Sequence, residues 1–327
     1  MRVLFLMMML TVLSAAVPRG QEPLRLSGAI ELPRVEGRID HLAFDAATER
    51  LFIAALGNNT VEVLDVKNNM HLKSLPGFRE PQGIAVATAA NVVAVANGEG
   101  TRIQLLEAGD YHVIRSTALG DDSDNVRYDS EAHLLYVGYG SGALAAVRPD
   151  DGTVLGTVKL QGHPESFQLE QSGTRIFVNV PNADHIAVVD RKAMKVIATW
   201  PVRTATSNFP MALDEANHRL FIGCRRPAKV LIFDTASGKE TGSFDIVGDT
   251  DDLFYDTARK RLYVSGGEGF LDAFQVSTTG SATRIAHVLT APGSRTSLFV
   301  ADRGRIYLAV PHRGSQRAEV RMYDAAP

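Results

Sequence analysis

What constrains this chain most is a repeat. Aligned on the first residue of an apolar run, the copies begin LAFDAATERLFIAAL (Leu42), IAVATAANVVAVAN (Ile84), VRYDSEAHLLYVGY (Val126) and FQLEQSGTRIFVNV (Phe167). They continue with MALDEANHRLFIGC (Met211), LFYDTARKRLYVSG (Leu253) and LFVADRGRIYLAV (Leu298). Successive starts lie 42, 42, 41, 44, 42 and 45 residues apart. Within a unit a short run, a polar turn and a β-rich run are followed by a third run, such as TVEVLDV or VLIFDT, and a more polar fourth, such as HLKSLPG. Alternation and β-branched content read as strands, with Asp, Gly, Asn and Ser in the turns. Four strands in about 40–45 residues is the pattern of a propeller blade. The expected fold is an all-β, seven-bladed β-propeller.

The two ends fit a closed ring. The seventh copy stops after its third strand, at EVRMYDAAP, while a spare strand, LRLSGAIELPRVEG, precedes the first copy. The N-terminal strand is expected to complete the last blade and remove two exposed sheet edges. Residues 21–327 then form one domain. The first 20 residues, MRVLFLMMMLTVLSAAVPRG, have a basic start, an apolar stretch and small residues near Ser14 and Ala16. They read as a signal peptide, too short an apolar run for a spanning helix, so the mature chain is expected outside the cytoplasm, periplasmic or extracellular.

Composition narrows the partners. The net charge is −3, with both signs scattered along the chain. There is no basic footprint for nucleic acid or for an anionic membrane surface. A single cysteine, Cys224, rules out an intrachain disulfide, so a large core must hold the fold. Cys224 follows an apolar run and reads as a small buried hydrophobe. A monomer is expected.

The stretches PQGIAVATAANVVAVAN and NNTVEVLDV resemble the YVTN-repeat, YncE-like family of bacterial propellers. Pro81, Gly83, Ile84 and Asn97 match its pattern in the second unit, and Asn59, Thr60 and Asp65 in the first. The resemblance covers essentially the whole mature chain and weakens in later units, where FIGCRRPAK replaces the Asn-rich stretch. It implies an exported propeller but no single activity, since propellers carry many grafted functions.

Because the first strand of each blade lines the central channel, residues just before the anchors should ring one channel mouth. Two residues before them stand Asp40, Gln82, Asp124, Glu165, Phe209, Asp251 and Thr296. One residue before stand His41, Gly83, Asn125, Ser166, Pro210, Asp252 and Ser297. Like charges converging there repel unless a cation joins them. Asp40, Asp124, Glu165 and Asp251 are therefore candidate ligands of a divalent metal such as Ca²⁺. The position is similar to that of the metal in regucalcin and gluconolactonase propellers, whose sequence motifs this chain lacks. The competing reading is turn chemistry, because GDDSDN and GDTDD also suit Asx-turns.

Loops between second and third strands carry the opposite sign. Arg225, Arg226 and Lys229 lie in one, and His312, Arg313 and Arg317 in another, with Arg295 in the loop before the seventh unit. Arg225, Arg226, Arg295, His312 and Arg313 are candidate contacts for a small anionic ligand, since guanidinium forks take carboxylate or phosphate. The alternative is ordinary exposed loop charge. His163 stands beside Glu165 without a diagnostic ligand spacing. No nucleophile elbow, zinc-protease, EF-hand or P-loop motif is present.

Two functions stay open. One is a non-catalytic propeller binding a protein, peptide or small anionic ligand at the channel mouth. The other is a metal-dependent hydrolase or lyase, lactonase-like, with His41 or Asp252 as base.

Overall fold

A computed structural model describes residues 22–326. Seven four-stranded antiparallel sheets form seven blades of a β-propeller, with no helical structure beyond single 3₁₀ turns among the described residues. Blade 1 is Leu42–Asp45, Arg50–Ala55, Thr60–Asp65 and Met70–Pro76. Every repeat anchor falls in an inner strand: Leu42–Asp45, Pro81–Ala87, Ser123–Asp129, Phe167–Leu169, Thr206–Asp214, Thr250–Asp256 and Ser297–Val300. Each inner strand contacts its neighbours around the ring, and the last contacts the first.

The ring closes as the sequence predicts. The N-terminal strand Leu24–Glu31 pairs antiparallel with Glu319–Ala325 as the outer strand of blade 7, from Leu24↔Ala325 to Glu31↔Glu319. Leu24, Ile30 and Leu32 are buried in this closure. The expected signal segment lies outside the described residues. Among the described residues, no helix is long and apolar enough to cross a membrane.

The core sits between blades, where the period-2 alternation of each strand sends apolar side chains to the neighbouring sheet. Phe52, Val61 and Val63 of blade 1 pack on Ile84, Val93 and Val95 of blade 2. Phe177 of blade 4 and Phe233 of blade 5 flank Trp200, at centroid distances of 5.3 and 6.4 Å. Cys224 is fully buried in that same layer, as its apolar context suggests.

The inner strands depart from regular pairing at one place, and that place positions the site. In blades 2, 3, 5 and 6 the register shifts between Pro81 and Ile84, Ser123 and Val126, Asn208 and Met211, and Thr250 and Asp252. A bulge gives the inner strand an extra residue there and turns it out of the ladder. The turned residues are Gln82, Asp124, Phe209 and Asp251, four members of the ring of residues two before the anchors.

Candidate functional site at the channel mouth

A cavity of about 370 Å³ opens at one end of the channel. It is lined by Asp40, His41, Gln82, Asp124, Glu165, Phe209 and Asp251 from the two rings. Arg38, Asp122, His163, Arg225 and Arg295 line it as well. Six of the seven residues two before the anchors therefore meet in one space; Thr296 is buried and instead donates its hydroxyl to the Ile39 carbonyl, 3.3 Å away. Arg38, Asp122 and His163 each lie two residues upstream of a ring member. They line the cavity beside the first ring.

The carboxylates fall into two groups. On one side Arg38 Nη2 donates to Asp40 Oδ2 at 2.7 Å. His41 stands between Asp40 (3.7 Å), Asp124 (4.0 Å) and Asp252 (3.5 Å). Burial alone would lower the His41 pKa, but Asp252 and Asp40 outweigh it and push the imidazole up to about 10. In its charged form the imidazole balances the carboxylates that converge on it at the centre of the ring. Asp252 accepts the Ser297 backbone N–H at 2.8 Å, which ties blade 6 to blade 7. Burial raises the Asp40 carboxyl, against the pull of His41 and Arg38.

Farther round, Arg225 lies over the Phe209 ring, 3.8 Å from its centroid. It donates from Nη2 to Asp251 and from Nε to the Thr250 carbonyl at 2.9 Å. Phe209 is itself fixed by the Asn179 amide of blade 4, which donates to its carbonyl at 2.9 Å. Arg295 Nη1 donates to Asp249 Oδ1 at 3.0 Å. The two guanidiniums are thus held by carboxylates while they line the cavity. Asp251 is pushed up to about 7, chiefly by burial and against Arg225, with Asp40 adding to the rise. Its Oδ2 is buried and has no hydrogen-bond partner among the described residues.

Opposite them stand Asp124, His163 and Glu165, each offering one ligand atom within 4.8 Å of the others. His163 Nδ1 donates to the Gly140 carbonyl at 2.7 Å, and Asp122 Oδ2 lies 3.5 Å from the same nitrogen. Its Nε2 faces Asp124 Oδ2 at 3.6 Å. Asp122 is held in turn by the Gln82 amide at 2.9 Å. Burial first, then Asp124 and Asp251, push Glu165 up to about 8. Burial would lower His163, yet Asp124 and the Gly140 carbonyl push it up to about 9. Arg127, inside the channel on the blade 3 strand, is lowered by burial and faces the charges of Asp252 and Asp124.

The four carboxylates considered as metal ligands all line this one cavity. Arg38 pairs with Asp40 and Arg225 with Asp251, while Asp124 and Glu165 gather with His163. Of the five basic candidates, Arg225 and Arg295 reach the cavity. Arg226, at the end of the strand Arg219–Arg226, and Arg313 are exposed outside it, and His312 pairs with Glu36 at 2.7 Å.

No family model and no curated protein matches the chain. Many solved chains share the fold. One, from a crystal structure of a mitotic checkpoint complex, superimposes with a TM-score of 0.77 at 13% identity, over 100% of this chain and 99% of that one. Likeness at that identity concerns the fold alone.

Proposed function

We propose that this chain is an exported binding propeller that takes a small ligand bearing a carboxylate or phosphate into the channel-mouth cavity. One observation carries the reading. Two guanidiniums, Arg225 and Arg295, fixed by Asp249 and Asp251, line one side of a roughly 370 Å³ polar cavity whose other side is carboxylate and imidazole. Anchored guanidiniums lose less side-chain freedom on binding an anion, and Arg225 keeps Nη1 without a hydrogen bond among the described residues. The sunken position of the charged groups favours a small molecule over a protein surface. The checkpoint-complex chain shows that the same fold elsewhere sits in a protein assembly, so a partner's side chain entering the mouth is the competing occupant.

The test is a thermal-shift screen of hydroxy acids, dicarboxylates and sugar phosphates on the purified mature chain, followed by titration calorimetry of hits. Binding that Arg225→Ala weakens about 10-fold or more, as loss of a charge-assisted contact implies, supports the reading. Hits unaffected by Arg225→Ala and Arg295→Ala, or no hit at all, overturn it.

A second reading, a hydrolase or lyase acting on a small anionic substrate such as a lactone, has one observation in its favour. Asp251 holds a proton up to about pH 7 inside the cavity, where such groups are suited to proton transfer. Lactone turnover followed with a pH indicator and abolished by Asp251→Asn would establish it; ligands bound without turnover leave binding alone.

A further inference from the structure

We propose that Asp124, His163 and Glu165 form a three-ligand site for a divalent transition metal, Zn²⁺ above all, with its open position facing the cavity. The inference rests on the same cavity being the ligand site and deepens that reading. Three features carry it. The first is the donor set: one imidazole nitrogen and two carboxylates within 4.8 Å of one another. That mixture suits zinc better than calcium, which takes six to eight oxygens.

The second is the orientation of His163. Its Nδ1–H is committed to the Gly140 carbonyl at 2.7 Å, with the Asp122 carboxylate 3.5 Å away. This leaves Nε2, beside Asp124, as the nitrogen available to a metal once its proton is displaced. A carboxylate or carbonyl behind the non-ligating nitrogen is the usual support of a metal-bound histidine. Gln82, one blade away, holds Asp122 in that place at 2.9 Å, so three successive blades contribute to the support. The third feature is independent of the cluster. Asp251 is 9% exposed and lines the same cavity, yet its Oδ2 has no hydrogen-bond partner among the described residues. Arg295 Nε stands 3.9 Å from that oxygen, too far for a hydrogen bond, so a buried carboxylate oxygen beside the cavity is left able to take a further cationic or polar partner.

Only a small contraction is needed. Zinc bonds to nitrogen and carboxylate oxygen are about 2.0–2.2 Å, so ligand atoms around one ion lie closer together than this cluster does. The ion replaces the proton between His163 Nε2 and Asp124. With three protein ligands the fourth position is left for water or for an anionic group of the ligand, whose other end meets Arg225 and Arg295.

Metal alone is the probe. Chelator-dialysed protein is titrated with ZnCl₂ by calorimetry, and CoCl₂ is added separately to read visible absorption. About one equivalent of tightly bound zinc is expected, with a tetrahedral cobalt spectrum. His163→Gln should weaken zinc binding at least 100-fold, and Asp122→Asn, which keeps all three ligands, by about 10–100-fold. Asp122→Asn carries the test if His163→Gln does not fold. The exposed group Glu107, Asp110 and His112 is a built-in control for surface binding. Zinc uptake abolished by His112→Ala but unchanged by His163→Gln or Asp122→Asn would overturn the proposal, as would no uptake by the wild-type chain. Anion binding that depends on Arg225 yet survives chelation would remove the metal and leave the functional reading in place.

Discussion

Replacing Asp251 with Asn should flatten the pH dependence of stability. In the metal-free protein, folding raises the proton affinity of this carboxyl from its ordinary 3.8 to about 7. The native state therefore holds a proton that the unfolded chain releases across that window. The associated stability is full below the ordinary value and is lost as pH rises through 7. The groups facing Asp251 are Arg225, Arg295, Asp40, Arg38, His41 and Glu165, none of which the substitution removes. Between pH 5 and pH 8 a group with these two values forfeits about 2–3 kcal/mol. With a urea dependence of about 3 kcal/mol per molar, that is roughly 1 M in midpoint. Glu165, His41 and His163 are also raised on folding, so the wild type loses more than this in total; the variant keeps most of that, less the part of the Glu165 rise that Asp251 supplies. Urea titrations read by Trp200 fluorescence, at pH 5 and pH 8, give both slopes. The variant's midpoint should fall by about 1 M less than that of the wild type. Equal falls in the two proteins would refute the reasoning, since they would mean that Asp251 is ionised throughout.

Two more predictions concern the surroundings. A Cβ at Gly83 would lie 2.0 Å from the Asp124 carbonyl oxygen and 2.9 Å from the Val126 nitrogen, so Gly83→Ala should destabilise by about 1–3 kcal/mol or more and weaken zinc binding with it. A wild-type urea midpoint and zinc affinity in this variant would sink the prediction. Cys224 is fully buried and its thiol is pushed up to about 12 by burial, with Glu240 adding to it. Ellman's reagent should leave the native protein unmodified and titrate one thiol in urea; rapid reaction of the native chain would place Cys224 at an accessible surface.

The fold was legible because each blade repeats the same strand pattern, and even the unpaired terminal strands state how the ring closes. The first ring of the site was legible for the same reason. Asp40, Asp124, Glu165 and Asp251 occupy one repeat position, and a repeat position becomes a ring when the repeat becomes a circle. The residues beside that ring were harder to see. Arg38, Asp122, His163 and Asp249 sit four residues before their anchors, in stretches that read as turns. Several of these stretches carry left-handed residues, Asp122 and Asp249 among them, so the strand period does not reach them. What no pattern supplied is which charges pair. Arg38 with Asp40 is local, but Arg225 with Asp251 and His163 with Asp124 join neighbouring blades, and side-chain reach decides them. The charges of Arg226, His312 and Arg313 are plain in the sequence, but which side chains reach the cavity is not: Arg225 does and its neighbour Arg226 does not.

The clasp between Leu24–Glu31 and Glu319–Ala325 also sets an order of events during synthesis. The first strand made must wait for the last one before it has a partner, so every shorter nascent chain carries two unmated edges. The cavity waits with it. Asp40 enters from the first blade, and Thr296, donating to the Ile39 carbonyl, locks that entry against the seventh. An incomplete chain can build most of its blades correctly and still lack one wall of the mouth. A mouth with all of its walls is thereby restricted to molecules that were finished.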